Sequence, residues 1–138
     1  MNRPYHTPQI LIAEDDPDDQ VMLQEAFEES CPACVLSFVS DGVELMARLQ
    51  QPDVSARVPD LLLLDLNMPL KDGRQALQEI RNLPGLHQLP VVILTTSKND
   101  EDRAFCLARG ANDYLVKPAS YTELINIVQS LATWWAPG

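Results

Sequence analysis

The chain has 138 residues, enough for one domain that buries its own core without disulfides or structural metals, and its 20 acidic and 10 basic residues give a formal net charge of -10. That balance opposes binding to nucleic acid or anionic membranes and suits a cationic partner patch or a divalent cation. No apolar stretch approaches the roughly 20 residues of a membrane-spanning helix, and Met1-Asn2-Arg3-Pro4-Tyr5-His6 has no apolar signal core. Three cysteines without a signal peptide, Cys31, Cys34 and Cys106, argue against a secreted disulfide framework and for a reducing cytoplasm.

Five short apolar runs punctuate the chain, Ile10 to Ala13, Val35 to Val39, Leu61 to Leu64, Val91 to Leu94 and Tyr114 to Val116, each followed by a segment with helical spacing. After the first run, Asp16 and Pro17 suit an N-cap and first helical position, with Leu23, Ala26, Phe27 and Ser30 on one face until Cys31-Pro32 stops the helix. Cys31-Pro32-Ala33-Cys34 has the spacing of a redox or zinc pair, but without a partner pair it reads as ordinary loop and core. Asp41-Gly42 precedes a short helix carrying Val43, Leu45, Met46 and Leu49. Gln51 to Pro59 fits neither periodicity and reads as a long connecting loop. Gly73 to Leu83 reads as a third helix with Leu77, Ile80 and Leu83 inward. Asp100 to Arg109 is a fourth, ended by Gly110, and Ser120 to Trp134 a fifth, where Ser120 and Glu123 offer a capping box. His6 and His87 sit in polar, proline-flanked segments and read as solvated. Trp134-Trp135 cannot both face one core, so one should be exposed or in an interface.

Strands alternating with helices imply an α/β domain, a parallel sheet with helices on both faces and right-handed crossovers. In such sheets ligands bind at the carboxyl ends of the strands. Those ends carry Glu14 with Asp15, then Asp65, then Thr95 with Thr96, then Lys117 with Pro118. Clustered carboxylates raise the affinity for protons or a divalent cation, and an oxygen-only set favours Mg²⁺ or Mn²⁺. Only three lysines exist, and Lys117 alone ends a predicted core strand, where it could pair with Asp65 or a phosphoryl oxygen. Such parts can hold a charged phosphoryl group in transfer, with the Asp65 carboxylate as nucleophile.

The series Glu14-Asp15, Asp65-x-Asn67-Met68-Pro69-x-x-Asp72-Gly73, Thr95 and Tyr114-x-x-Lys117-Pro118 closely resembles the receiver domains of two-component response regulators, over about residues 9–131. The resemblance implies a single domain over residues 1–138 with an aromatic C-terminal tail. Its implied fold is flavodoxin-like, (βα)5 and doubly wound, with a five-stranded parallel sheet of order 2-1-3-4-5. It implies that Asp65 accepts a phosphoryl group from the phosphohistidine of a sensor histidine kinase, becoming a 4-aspartylphosphate in a Mg²⁺-dependent reaction. The chain would be no enzyme beyond that self-phosphorylation and a slow autodephosphorylation. Asp15 resembles the direct metal ligand, Glu14 a ligand acting through water, and the Asn67 carbonyl the third protein ligand. Glu14 replaces the commoner aspartate. Lys117 resembles the lysine that pairs with the phosphoryl group, Thr95 the switch hydroxyl and Tyr114 the aromatic whose rotamer follows it. Pro118 resembles the proline that is commonly in a cis peptide bond, and Asn67 and Ser97 hold the positions that tune phosphoryl lifetime.

The opening Asp15-Asp16-Pro17-x-Asp19, the long loop before strand three, Leu94-Thr95-Thr96-Ser97 and the tryptophan tail resemble the stand-alone regulators associated with phytochromes. This implies signalling through the protein's own surface without an output domain, with a bacteriophytochrome as a candidate kinase. It also implies a homodimer through the fourth helix, fifth strand and fifth helix, with Tyr114, Tyr121 and the tryptophans as anchors. Two other readings of the same residues are a small phosphohydrolase-like enzyme and an interaction module that binds metal without phosphorylation.

Overall fold

The structure is a computed structural model that describes residues 7–135; His6 lies outside the described residues. In chain order the elements are β1 (Gln9–Ala13), α1 (Pro17–Ser30), β2 (Val35–Val39), α2 (Gly42–Leu49), α3 (Pro52–Ala56), β3 (Leu61–Leu64), α4 (Gly73–Asn82), β4 (Val91–Thr95), α5 (Asp100–Ala108), β5 (Asp113–Val116) and α6 (Tyr121–Ser130), then a 3-10 turn over Leu131–Trp134. All strand pairs are parallel and their order is β2-β1-β3-β4-β5, the expected flavodoxin-like arrangement. Alternation along the strands divides the core in two. Leu11, Leu62, Leu64 and Ile93 pack with Leu45, Leu77 and Ile80 of α2 and α4 on one face. Ile12, Leu61, Leu63 and Val92 pack with Leu23 and Phe27 of α1 and Leu124 and Val128 of α6 on the other.

Helix starts follow local chemistry. Asp16, Asp41, Asp72, Asn99 and Ser120 each accept a backbone N–H from the first turn of the helix they cap. Gly73 is required where α4 leaves the site: a Cβ there would lie 2.4 Å from the Asp65 carbonyl oxygen, so only glycine lets the helix start this close to the end of β3.

Four expectations need correction. The segment from Gln51 to Pro59 is not all loop, because Pro52 opens the one-turn helix α3 and Val54 is buried in the core. A helix of one turn is too short to show a period. The described residues contain no cis peptide bond, so Lys117-Pro118 is trans; Lys117 is aimed instead by its backbone N–H, which donates to the Thr95 carbonyl at 2.7 Å. Cys31 and Cys34 are joined by a disulfide, because the turn that ends α1 brings them together. Tyr114 and Trp135 are 3% and 8% exposed, so neither is a surface anchor; Trp135 packs its ring 6.3 Å from Phe27, while Trp134 and Tyr121 are half-buried. No helix among the described residues is long and apolar enough to cross a membrane.

Candidate functional site

The site lies where β1, β3, β4 and β5 end. Beyond β1, the Glu14 N–H donates to the Val39 carbonyl at 2.9 Å, and beyond β3 the Asp65 N–H donates to the Ala13 carbonyl at 3.1 Å. The ladder therefore continues one residue past each strand and holds both carboxylates rigidly. Glu14 is 2% exposed and Asp65 5%, whereas Asp15 points to solvent. Lys117, from the end of β5, sits among them: its Nζ is 2.7 Å from Glu14 Oε1, 2.7 Å from Asp19 Oδ2 and 3.0 Å from Asp65 Oδ2. The remaining Asp65 oxygen, Oδ1, accepts the Asn67 N–H at 3.2 Å, and Glu14 Oε2 accepts the Asp16 N–H at 3.1 Å.

One ammonium against this many carboxylates leaves an excess of buried negative charge, which is unfavourable unless protons or a cation offset it. Burial pushes the Glu14 carboxyl up to about 7, against the opposing pull of its hydrogen bonds to Lys117 and Asp16. Burial works against the Lys117 charge, but the hydrogen bonds it donates to Asp19, Glu14 and Asp65 outweigh it and hold the ammonium well above its ordinary range. Glu14, Asp15 and Asp65 can each offer an oxygen within 4.8 Å of one another, and this all-oxygen set fits a hard divalent cation.

The switch candidates form a second network. Thr95 is fully buried at the end of β4, and its Oγ1 accepts the Ser97 N–H at 3.4 Å. Tyr114 is turned inward and its hydroxyl donates to the Ser97 carbonyl at 3.0 Å. The Ser97 hydroxyl donates to Asp102 Oδ2 at 2.7 Å, and Asp102 accepts a forked pair from Arg74 at 2.9 and 2.8 Å. Ser97 thus joins both switch candidates to an ion pair between α5 and α4. The hydrogen bonds from Arg74 and Ser97 hold the Asp102 carboxyl below its usual range.

Glu14, Asp15, Asp65 and Lys117 come together as the sequence leads one to expect, with Asn67 beside Asp65 and Thr95 behind Lys117. Asp102 and Arg74 carry no sequence signal that links them to the site, and Asp19 enters the sequence reading only through the Asp15-Asp16-Pro17-x-Asp19 opening. Asp19 had a signal: three residues past the Asp16 cap, it shares a helix face with it, at the end of α1 that meets the site.

Doubly wound parallel α/β domains bind their ligands at the carboxyl edge of the sheet, and here that edge gathers buried carboxylates and a lysine. Residues 10–129 match the response regulator receiver domain family, and the chain belongs to that family, whose role is phosphorylation-based signalling. It is similar to the response regulator Rcp1 of Synechocystis sp., 40% identical over 129 residues that cover 91% of this chain and 87% of that protein. Among solved structures it is similar to the phosphorylated cyanobacterial phytochrome response regulator RcpA, with TM-score 0.84, 38% identity and 94% of each chain covered. It is also similar to the Mn²⁺-bound form of Rcp1, with TM-score 0.81, 38% identity and coverage of 93% of this chain and 94% of that one.

Two outcomes follow. A carboxyl held above its ordinary value of 4.5 favours its protonated form, so the Glu14 cost is absent below that value and complete above about 7. The metal-free fold therefore loses stability across that window as pH rises. In urea titrations with a chelator present, Glu14→Gln should lose less stability than the unsubstituted protein between about pH 5 and about pH 8. Asp102→Ala removes the acceptor that fixes Ser97, so hydrogen exchange should speed up at Ser97 and Asn99 and stay unchanged in β1 and β3.

Proposed function

We propose that Asp65 is the phosphoacceptor of a two-component signalling protein, charged by the phosphohistidine of a sensor kinase in the cytoplasm, where ATP makes such donors. The carrying observation is the Lys117 ammonium, shared by Asp65 and Glu14 beside Asp15. An Asp65 carboxylate oxygen attacks phosphorus, the bond to the imidazole nitrogen breaks with its electron pair going to the ring, and an acyl phosphate results. Lys117 then pairs with the phosphoryl oxygens in place of part of its present carboxylate set. A bound Mg²⁺ or Mn²⁺ would neutralise phosphoryl charge, held by Glu14, Asp15, Asp65 and the Asn67 carbonyl.

Thr95 and Tyr114 are the readout. The phosphoryl group favours the state in which the Thr95 hydroxyl turns toward it, and the surface over α5, β5 and α6 changes with it. Asn67 and Ser97 tune how long the acyl phosphate survives. The likeness to phytochrome response regulators supports a photoreceptor kinase of the bacteriophytochrome kind as the donor. Pairing of two copies through α5, β5 and α6 is supported by Leu107 on α5 and Val116 on β5, which expose 39% and 36% of their surface. These are the anchors in place of Tyr114 and Trp135.

Incubation with a small phosphodonor and Mg²⁺ should label the protein and its Asp53→Asn variant, whose altered residue pairs with Arg48 away from the site. Labelling should vanish in Asp65→Asn. An unlabelled parent protein, or a labelled Asp65→Asn, removes this reading. Sedimentation at high concentration, with and without beryllofluoride as the phosphate mimic, should show a dimer in at least one state; a monomer in both removes the pairing.

A further inference from the structure

At the opposite edge of the sheet from Asp65, Cys31 ends α1 and Cys34 precedes β2, and their sulfurs are bonded. Backbone hydrogen bonds hold this turn: the Cys31 N–H donates to the Phe27 carbonyl at 2.7 Å, the Cys34 N–H to the Cys31 carbonyl at 3.0 Å, and the Val35 N–H to the Pro8 carbonyl at 2.9 Å. They leave the two Cα atoms 5.5 Å apart, inside the usual range for a bridge, and none of them involves a sulfur atom. A bridge across two intervening residues closes too short a loop to stabilise the fold much through chain entropy. Both side chains are half-buried rather than sealed. They line a cavity of about 260 Å³ with Gln24, Phe27, Glu28, Leu36 and Phe38, which gives a small thiol a path to sulfur. The third cysteine differs: Cys106 is fully buried, and burial pushes its thiol up to about 11.

We propose that Cys31 and Cys34 form a reversible dithiol–disulfide site that exchanges with small thiols and disulfides of the glutathione class, a covalent input separate from Asp65. In the oxidising direction one cysteine thiolate attacks a sulfur of glutathione disulfide, forms a mixed disulfide and expels one glutathione thiolate. The second cysteine thiolate attacks the cysteine sulfur of that mixed disulfide, closes the Cys31–Cys34 bond and expels the second glutathione. Two electrons pass from the protein to glutathione disulfide, and the two cysteine protons end on the two glutathione thiols. The pair sits at the C-terminus of α1 with Glu28 beside it, not at a helix N-terminus that favours a thiolate. It is therefore a recipient of exchange rather than a catalyst of it.

The full chain is equilibrated without oxygen in graded ratios of reduced to oxidised glutathione, quenched with acid, alkylated under denaturing conditions and weighed intact. Two of the three thiols should become protected together, along a two-electron curve of about 30 mV per tenfold change. The curve should be unchanged in Cys106→Ser and in Asp65→Asn, while Cys31→Ser and Cys34→Ser should each trap a glutathione adduct. Two thiols that alkylate at every ratio would overturn the proposal, as would a bridge that survives excess dithiothreitol under native conditions. Adducts absent from both single variants would overturn it as well.

Discussion

The three ion pairs of Lys117 are the contact on which the site depends. β5 is separated from β3 by β4, so a side chain from the end of β5 must cross two strand spacings, about 10 Å, to reach Asp65. The long lysine stem spans that gap, and its start is fixed by the backbone bond from Lys117 to Thr95. The ammonium then draws on three elements at once, β1 through Glu14, β3 through Asp65 and α1 through Asp19. Without it, Glu14 and Asp65 would be buried carboxylates facing each other with no compensating charge, the arrangement that costs most in a low-dielectric setting.

The same lysine links the carboxylate cluster to the hydrogen-bond network around Thr95. Its backbone is tied to Thr95, Thr95 to Ser97, and Ser97 to both Tyr114 and Asp102, so any change at Asp65 that shifts Lys117 or Thr95 meets a connected set of hydrogen bonds rather than loose side chains. The set has a fixed end and a movable one. The forked bonds from Arg74 anchor Asp102 to α4, while the Thr95 contact at 3.4 Å is long and weak. Arg103 adds a brace, donating to the Tyr114 carbonyl at 3.1 Å with its guanidinium 5.9 Å from the Tyr114 ring.

What could be read from sequence follows from how local each signal is. A strand buried on both faces must be apolar throughout, so Leu61 to Leu64 matches β3 residue for residue, and helix caps are visible because the cap and the N–H that donates to it lie within a turn of each other. That Glu14, Asp65, Thr95 and Lys117 lie at one edge was legible because topology alone brings the carboxyl ends of parallel strands together. Asp19 was not, because an acid in the first turn suits the dipole of any helix, and Asp18 beside it looks identical until Lys117 is placed in space. Arg74 and Asp102 are separated by 28 positions, with no periodicity to connect them. The disulfide is the opposite case: its spacing was visible, but composition says nothing about whether a helix end will hold two sulfurs in reach.

The charge balance gains meaning from where the basic residues are spent. Arg48, Lys71, Arg74 and Lys117 are engaged with Asp53, Glu79, Asp102 and the site carboxylates, and Arg81 donates to the carbonyls of Leu86, Leu89 and Gly110. Arg109 lies 4.6 Å from the Phe105 ring centre. The surplus acids are left on the surface, and α1 shows Asp18, Glu25, Glu28 and Glu29 to solvent around two exposed apolar side chains, Val21 and Met22. Such a face repels phosphate backbones and complements a partner with cationic and apolar side chains interleaved. Beyond about 8 Å its field is screened at physiological salt, so selection acts at contact. The N-terminal end of α1 carries Asp16, whose N–H meets Glu14, and Asp19, which meets Lys117. The acidic face of α1 therefore runs up to the same end of the sheet as the buried carboxylates.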